Sequence, residues 1–304
     1  MLKTEICKVQ MNNPTVLASG IMGVSAASLI NVAQNGAGAV TSKSIGLESR
    51  KGHFAPIMIT TPYYGMNAVG LSNAGIEESI PEIECASKNS KSPVIASIFA
   101  HKINDFGILS EKISKAKPQL IEVNISCPNV EAEFGKPFST DEKAAAKVTE
   151  IVKNNTKIPV IVKLSPNVAD IKKIAKAVED AGADAINAIN TVGPGMAIDV
   201  RAKRPILSNK SGGISGPAVK PIAVKAVYDI YETVKIPIIG TGGVMTGEDA
   251  LEIIMAGASA VGIGTGVYYR GIDVFKKVTD EMEILMKQEG HKNIKKIVGV
   301  AHNV

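Results

Sequence analysis

Short apolar segments with the character of β-strands alternate with helix-like segments eight times along this chain, and no change of composition separates one pair from the next. Valine, isoleucine and alanine dominate the apolar segments, as they do in parallel strands that are buried on both faces. Aspartate opens several helix-like segments and glycine follows their ends, which is typical of helix caps. The predicted strands are Thr15–Ala18, Ala39–Thr41, Val94–Phe99, Leu120–Ile125, Pro159–Leu164, Ala185–Ile189, Ile236–Gly240 and Ala260–Gly264.

Eight β/α units favour an α/β fold that closes on itself, because parallel strands joined by helices of ordinary length close most naturally into a (β/α)8 TIM barrel. The 304 residues suit a single such domain, 1–304, with loops inserted at the carboxyl-terminal face of the barrel. One long insert, Ile45–Gly75, is predicted to be irregular, and a second long insert, Met196–Ser215, is rich in glycine, proline and serine. An open, doubly wound sheet is the alternative fold.

Charge and cysteine content exclude several classes of function. The net charge of +5 comes from 34 Lys+Arg and 29 Asp+Glu spread without a basic stripe, so no nucleic-acid partner is predicted. Cys7, Cys85 and Cys127 lie far apart, match no zinc spacing and cannot supply four iron–sulfur ligands, so no metal is predicted. With neither a signal peptide nor an apolar run of about 18 residues, we expect a cytoplasmic protein that does not enter a membrane.

Polar residues and glycines follow the predicted strands, and in a barrel these strand ends open onto one face. They are Ser19, Lys43, Ser97, Asn124, Cys127, Lys163, Asn190, Gly242 and Gly264. Cys127 lies between Asn124 and Asn129, whose amides donate and accept hydrogen bonds without placing a charge beside the sulfur. This composition suits a polar, planar ligand, and a buried structural cysteine is the alternative.

Two further features indicate an anionic ligand. Glycine-rich turns follow the last two predicted strands, at residues 240–243 and 264–266, where barrels commonly bind phosphate through backbone amides. Tight turns without a ligand are the alternative there. Lys163 ends an otherwise apolar strand, so its ammonium group requires a negative partner. It is a candidate either for a Schiff-base nucleophile or for a group that stabilises the negative charge of a reduced flavin.

Taken together, these motifs resemble the dihydroorotate dehydrogenases, and the likeness spans nearly the whole chain. Cys127 at the position of the general base is similar to the class 1 enzymes, since class 2 enzymes carry serine there. Asn190-Thr191 followed by Met196–Asp199 is most similar to the class 1B catalytic subunit. Ser97 departs from the family, which often has asparagine there, and Val192–Gly195 lengthens the loop after the sixth strand. The segments that carry the resemblance are Lys43-Ser44, Met66–Asn73, Asn124–Asn129, Val162–Pro166, Asn190-Thr191, Gly212–Gly216, Gly242-Gly243 and Gly264-Thr265.

The resemblance implies an FMN-binding barrel that oxidises dihydroorotate to orotate in pyrimidine (UMP) biosynthesis. Cys127 would be the general base that removes a proton from C5 while hydride leaves C6 for the flavin, with Lys43 and Lys163 as further catalytic residues. The implied FMN contacts are Ser19, Lys43, Ser44, Asn124, Lys163, Ile189, Gly216, Gly242, Gly243, Gly264 and Thr265. The implied contacts to dihydroorotate or orotate are Lys43, Asn67, Ala68, Val69, Gly70, Leu71, Asn124, Asn129, Asn190 and Thr191.

The class 1B likeness also implies a partner. The chain has no glycine-rich Rossmann fingerprint after an early strand, so NAD+ would be served by a separate subunit that carries FAD and a [2Fe-2S] cluster. The assembly would be a heterotetramer, a homodimer of this chain flanked by two partners. In the class 1A alternative, fumarate enters the same site and no partner is needed. A flavin-dependent tRNA dihydrouridine synthase and a non-redox aldolase or isomerase that uses Lys163 are further alternatives.

Overall fold

A closed barrel of eight parallel strands forms the centre of the protein, in a computed structural model that describes residues 1–126 and 138–303. Each strand pairs with the next one along the chain, and the last pairs with the first. The strands are β1 (Thr15–Leu17), β2 (Ala39–Thr41), β3 (Val94–Ile98), β4 (Leu120–Asn124), β5 (Val160–Lys163), β6 (Ala185–Ala188), β7 (Ile238–Thr241) and β8 (Ala260–Ile263). The predicted (β/α)8 barrel is confirmed, and every strand ends within two residues of its predicted bounds.

Helices pack their apolar faces against the outside of the barrel. They are α1 (Ala26–Gln34), α2 (Ile76–Asn89), α3 (Ile103–Ser114), α4 (Glu142–Asn155), α5 (Ile171–Asp180), α6 (Lys220–Thr233), α7 (Gly247–Met255), α8 (Gly266–Arg270) and α9 (Val274–Gln288). The expectation that aspartate opens helices holds at α4 and α5, where the side chains of Asp141 and Asp170 accept hydrogen bonds from first-turn amides. None of the helices within the described residues combines the length and the apolar character needed to cross a bilayer.

The amino-terminal half of the barrel interior is filled by apolar side chains. An N-terminal hairpin, in which Thr4–Ile6 pairs with Val9–Met11, adds Ile6 and Met11 to this layer and so plugs the lower end of the barrel. Ligand-sized space is therefore left at the opposite end, where the strands finish. Each strand contributes one residue to the layer, namely Val16, Ala39, Ile95, Leu120, Ile161, Ala185, Ile239 and Ala260.

Both long inserts contribute strands to a four-stranded antiparallel sheet at the mouth of the barrel, called the mouth sheet below. Its strands, in spatial order, are Val192–Gly195, Gly212–Ser215, Gly65–Asn67 and Met58–Thr60. The prediction that Ile45–Gly75 is irregular was wrong for Met58–Thr60 and Gly65–Asn67. Strands of three or four residues that contain glycine and proline show no alternating pattern, and pairing between distant segments, such as Gly213 with Asn67, forms them instead.

Candidate active site

A cavity of about 400 Å³ opens at the carboxyl-terminal ends of the barrel strands, and its size is that of a small-molecule site. Every predicted FMN contact lines it: Ser19, Lys43, Ser44, Asn124, Lys163, Ile189, Gly216, Gly242, Gly243, Gly264 and Thr265. Of the predicted substrate contacts, Lys43, Asn67, Val69, Gly70, Leu71, Asn124, Asn190 and Thr191 line the same cavity. Cys127 and Asn129 lie outside the described residues, so their assigned roles stay predictions.

Among the predicted substrate contacts that the structure describes, Ala68 alone does not line the cavity. Its side chain is fully buried and packs with Met66 and Leu207 in a small apolar cluster under the mouth sheet. The backbone around it is held in place, since the Ala68 N–H donates to the carbonyl of Ile57 at 2.8 Å and Arg50 Nε donates to the carbonyl of Gly70 at 2.7 Å. Ala68 therefore supports the segment that presents Asn67 to the cavity.

Glycines let the backbone form the wall of the cavity after β7 and β8. Gly243 has φ +73°, and a Cβ there would lie 2.6 Å from Lys220 Cβ, so glycine is required for the loop to pack against the start of α6. At Gly264 a Cβ would meet nothing closer than Ala18 Cβ at 3.5 Å and Ile21 Cγ1 at 3.7 Å, and all three residues line the cavity. Close approach of backbone amides is the feature that a phosphate group requires.

Two lysines give the cavity a positive charge, and its described lining contains no carboxylate. Lys43 follows β2, and burial lowers the pKa of its ammonium group. Lys163 is the last residue of β5 and is only 4% exposed. An anionic ligand with amide or carbonyl groups is complementary to this wall of lysines, amides and hydroxyls.

A polar layer lies inside the barrel, directly beneath the cavity and two residues beyond the apolar layer of β3 to β7. It comprises Ser97, Glu122, Lys163, Asn187 and Thr241, all of which are buried. Glu122 lies at its centre with 1% exposure: Ser97 Oγ donates to Oε1 at 2.9 Å, Asn187 Nδ2 donates to Oε2 at 2.7 Å, and Lys163 Nζ lies 3.9 Å from Oε1. These partners satisfy the need of a buried carboxylate for hydrogen bonds and an opposite charge.

The carboxylate of Glu122 sets the direction of the hydrogen bonds that lead to it, because an ionised carboxylate accepts but cannot donate. Since Ser97 donates its proton to Glu122, Ser44 Oγ, 2.9 Å from Ser97 Oγ, must donate to Ser97. The next donor is Asn124 Nδ2, 3.1 Å from Ser44 Oγ. Ser97 thus lies beneath the cavity wall and acts through Ser44, in contrast to an asparagine that would face the flavin directly.

The same chain of hydrogen bonds continues to the other side of the cavity. Asn124 Oδ1 accepts from Ser126 Oγ at 3.0 Å, and Asn190 Nδ2 donates to Ser126 Oγ at 2.8 Å. The amides of Asn124 and Asn190 are therefore oriented by their neighbours before any ligand binds. Ser126 directly precedes the predicted base Cys127 in the sequence.

Ser215 offers a test of whether a polar ligand fits the cavity. Its Oγ is buried on the cavity wall, and no group within residues 1–126 and 138–303 forms a hydrogen bond with it. A buried hydroxyl without a partner costs about 1–3 kcal/mol, which a hydrogen bond to a ligand would remove. With the glycine loops and the two lysines, this hydroxyl fits a phosphorylated cofactor such as FMN.

Sequence reasoning missed Ser215, Asn187, Thr241 and Glu122. Signals were available for three of them: Glu122 and Asn187 are polar residues inside the apolar strands β4 and β6, and Ser215 lies in the segment Gly212–Gly216 that carries the resemblance. Ser97 and Asn187 become partners of Glu122 through strand register, with Ser97 opposite Glu122 and Asn187 opposite Lys163. Register between strands cannot be read from one strand at a time.

Comparison with known proteins identifies a family for nearly the full length of the chain. The family model described as "Dihydroorotate dehydrogenase" matches residues 1–286. A protein of Methanocaldococcus jannaschii is 48% identical over 305 residues, which cover 99% of this chain and 98% of that protein. It is named "Dihydroorotate dehydrogenase B (NAD(+)), catalytic subunit".

Two other relatives bear the same name. The protein of Methanosarcina acetivorans is 46% identical over 297 residues, covering 97% of this chain and 94% of that protein. The protein of Pyrococcus abyssi is 43% identical over 304 residues, covering 100% of both chains. The similarity to these relatives therefore extends over nearly the whole chain.

Proposed function

This chain belongs to the dihydroorotate dehydrogenase family, and on that premise we propose that it is the catalytic subunit of an NAD+-linked dihydroorotate dehydrogenase. It oxidises dihydroorotate to orotate in pyrimidine biosynthesis. The observation that carries the proposal is the gathering of every predicted FMN contact in one cavity. Family membership favours this reaction over tRNA dihydrouridine synthesis and over aldolase or isomerase chemistry at Lys163.

FMN is the cofactor that the cavity fits, and when bound it supplies the acceptor for the hydride of the substrate. Gly242, Gly243, Gly264 and Thr265 would hold its phosphate, because their loops form the wall where backbone amides are accessible. Lys163 would place its positive charge beside the flavin ring and favour the negative charge that reduction adds. The fixed amide of Asn124 would hydrogen-bond the cofactor or the substrate without having to reorient.

Binding of dihydroorotate would use the opposite wall of the cavity. Lys43 supplies the positive charge for the substrate carboxylate, while Asn67 and Asn190 supply amide groups for its ring. Cys127 as thiolate would remove the proton from C5, which requires the cysteine and the flavin to lie on opposite sides of the substrate. The mouth sheet, which contributes Asn67 and Ser215 to the wall, would restrict the access of water.

Electrons would leave through a second subunit that carries FAD and a [2Fe-2S] cluster and reduces NAD+. Two observations support this part of the proposal: the relatives are named as catalytic subunits of NAD(+)-linked enzymes, and the three cysteines of this chain are too few for a cluster of its own. The expected assembly is a heterotetramer with a homodimer of this chain at its centre, and its expected location is the cytoplasm.

The test is a comparison of electron acceptors with the isolated chain. After incubation with FMN the protein should be yellow, and anaerobic addition of dihydroorotate should bleach the flavin within a single turnover. Neither NAD+ nor fumarate should support rapid turnover until the partner subunit is added, which should restore NAD+ reduction. Rapid turnover of the isolated chain with fumarate would replace the two-subunit proposal by the class 1A alternative, and a chain that takes up no FMN would refute both.

A further inference from the structure

The buried Glu122 has no role in the function proposed above, although it lies next to Lys163. Its carboxylate is 1% exposed at the centre of the polar layer, whereas the cavity above it is lined by two lysines and no described carboxylate. It is the negative charge nearest to Lys163 among the residues that the structure describes. Removing a carboxylate from water to this extent is costly, so a stabilising interaction with the lysine is expected.

Glu122 interacts with Lys163 through charge alone and with Ser97 and Asn187 through hydrogen bonds. Lys163 Nζ lies 3.9 Å from Glu122 Oε1, which is beyond hydrogen-bond length, whereas the two carboxylate oxygens accept short hydrogen bonds from Ser97 and Asn187. Asn187 is itself fixed, because its Oδ1 accepts from Thr241 Oγ1 at 2.7 Å. Glu122 is thus immobilised by neutral donors, and the ammonium hydrogens of Lys163 remain available to a ligand in the cavity.

We propose that Glu122 is the internal counter-charge of Lys163 and lowers the reduction potential of the bound flavin by offsetting the positive charge of the lysine. The inference rests on the proposed function, since it requires FMN in the cavity. Glu122 is a positioning residue here, because it touches neither cofactor nor substrate and acts through Lys163. The other described charged group that faces the cavity is Lys43, which contributes a positive charge of its own.

The size of the effect follows from the spacing of the charges. The 3.9 Å between Glu122 and Lys163, extended by a hydrogen bond of about 3 Å to the ligand, places the carboxylate about 7 Å from the charge that reduction adds. With an effective dielectric constant of about 20, this interaction corresponds to at most roughly 50-fold in the equilibrium constant for reduction. Partial screening reduces the expected effect to about tenfold, equivalent to about 30 mV for a two-electron couple.

The experiment measures the reduction potential of the bound flavin at one fixed pH in four variants of the holoprotein. Glu122→Gln removes the charge and keeps the shape of the side chain, although its NH2 group donates where one carboxylate oxygen accepted, and it should raise the potential by about 30 mV. Lys163→Met should lower it, and the double variant, which removes both charges, should return close to the wild-type value. Ser97→Ala deletes the hydrogen bonds of Ser97 with Glu122 and Ser44 without changing any charge, so it is the structural control, and its shift of the potential should be small compared with that of Glu122→Gln.

Opposite shifts of the two single variants cannot arise from general loosening of the site, which would move both in the same direction. An unchanged or lowered potential in Glu122→Gln, or a double variant that behaves like Lys163→Met, would overturn the inference. If Glu122→Gln fails to retain FMN, the comparison of the double variant with Lys163→Met tests the inference instead, because the double variant leaves neither charge of this pair buried without its partner. Wild-type protein that takes up no FMN would overturn the proposed function itself, whereas bound FMN with unshifted potentials would overturn the counter-charge alone.

Discussion

Replacement of Gly264 by alanine separates binding of the phosphate from stability of the fold. The new Cβ would meet Ala18 Cβ at 3.5 Å and Ile21 Cγ1 at 3.7 Å, which are ordinary van der Waals contacts. The ligand-free protein should therefore tolerate the methyl group, and reduced freedom of the unfolded chain should add about 0.4–1 kcal/mol to the free energy of unfolding. The methyl group would occupy the cavity wall where the cofactor phosphate approaches the backbone.

The expected loss is that of one hydrogen bond between a backbone amide and a charged phosphate, which is about 1.5–3 kcal/mol. FMN should therefore bind roughly tenfold to a hundredfold more weakly. Titration of the flavin-free protein with FMN, followed by quenching of flavin fluorescence, measures this loss, and thermal unfolding of the same preparation measures stability. Riboflavin, which lacks the phosphate, is the matched ligand and should bind the variant and the wild type alike.

Three results would refute this reasoning. Equal FMN affinities would show that Gly264 does not approach the phosphate, and equal weakening of riboflavin would show that the methyl group disturbs the flavin ring. A less stable ligand-free variant would contradict the space available around Gly264. Gly243→Ala provides the contrast, because its Cβ would lie 2.6 Å from Lys220 Cβ at φ +73°, so it should lower both stability and FMN affinity.

Two further predictions concern the substrate. Cys127→Ala should retain FMN but slow its reduction by dihydroorotate, measured by stopped flow, by roughly 10² to 10⁴-fold, which is the usual contribution of a general base. The control Cys85→Ala alters an exposed cysteine and should leave the rate unchanged. A wild-type rate in Cys127→Ala would refute the assignment of Cys127 as the base. Because burial lowers the pKa of Lys43 below 10.5, the ammonium charge should be lost at lower pH than in an ordinary lysine, so orotate affinity should fall as the pH rises through that lowered pKa. Lys43→Arg should keep its affinity for orotate at alkaline pH. If the wild type instead binds orotate equally well up to pH 10.5, the role of Lys43 is contradicted.

The barrel could be predicted because its determinants are local and repeated. Runs such as Val160–Lys163 consist of apolar residues of high strand propensity, and Asp141 and Asp170 cap helices through hydrogen bonds that span only two or three residues. The site followed from the barrel, because the ends of parallel strands meet on one face and so bring Ser19 and Thr265 to the same cavity. The mouth sheet could not be predicted, because its strands are short and rich in glycine, and its central pair joins Gly65–Asn67 to Gly212–Ser215, a segment about 150 residues away in the sequence.

The sequence by itself determined the alternation of strands and helices, the closure of the barrel and the residues that surround its mouth, since each depends on the order and chemical type of residues along the chain. Only the tertiary structure decided how these residues work together. Glu122 meets Lys163, Ser97 and Asn187 because the register of four neighbouring strands places their side chains at one level inside the barrel. There the low dielectric environment makes the position of each charge and the direction of each hydrogen bond energetically decisive.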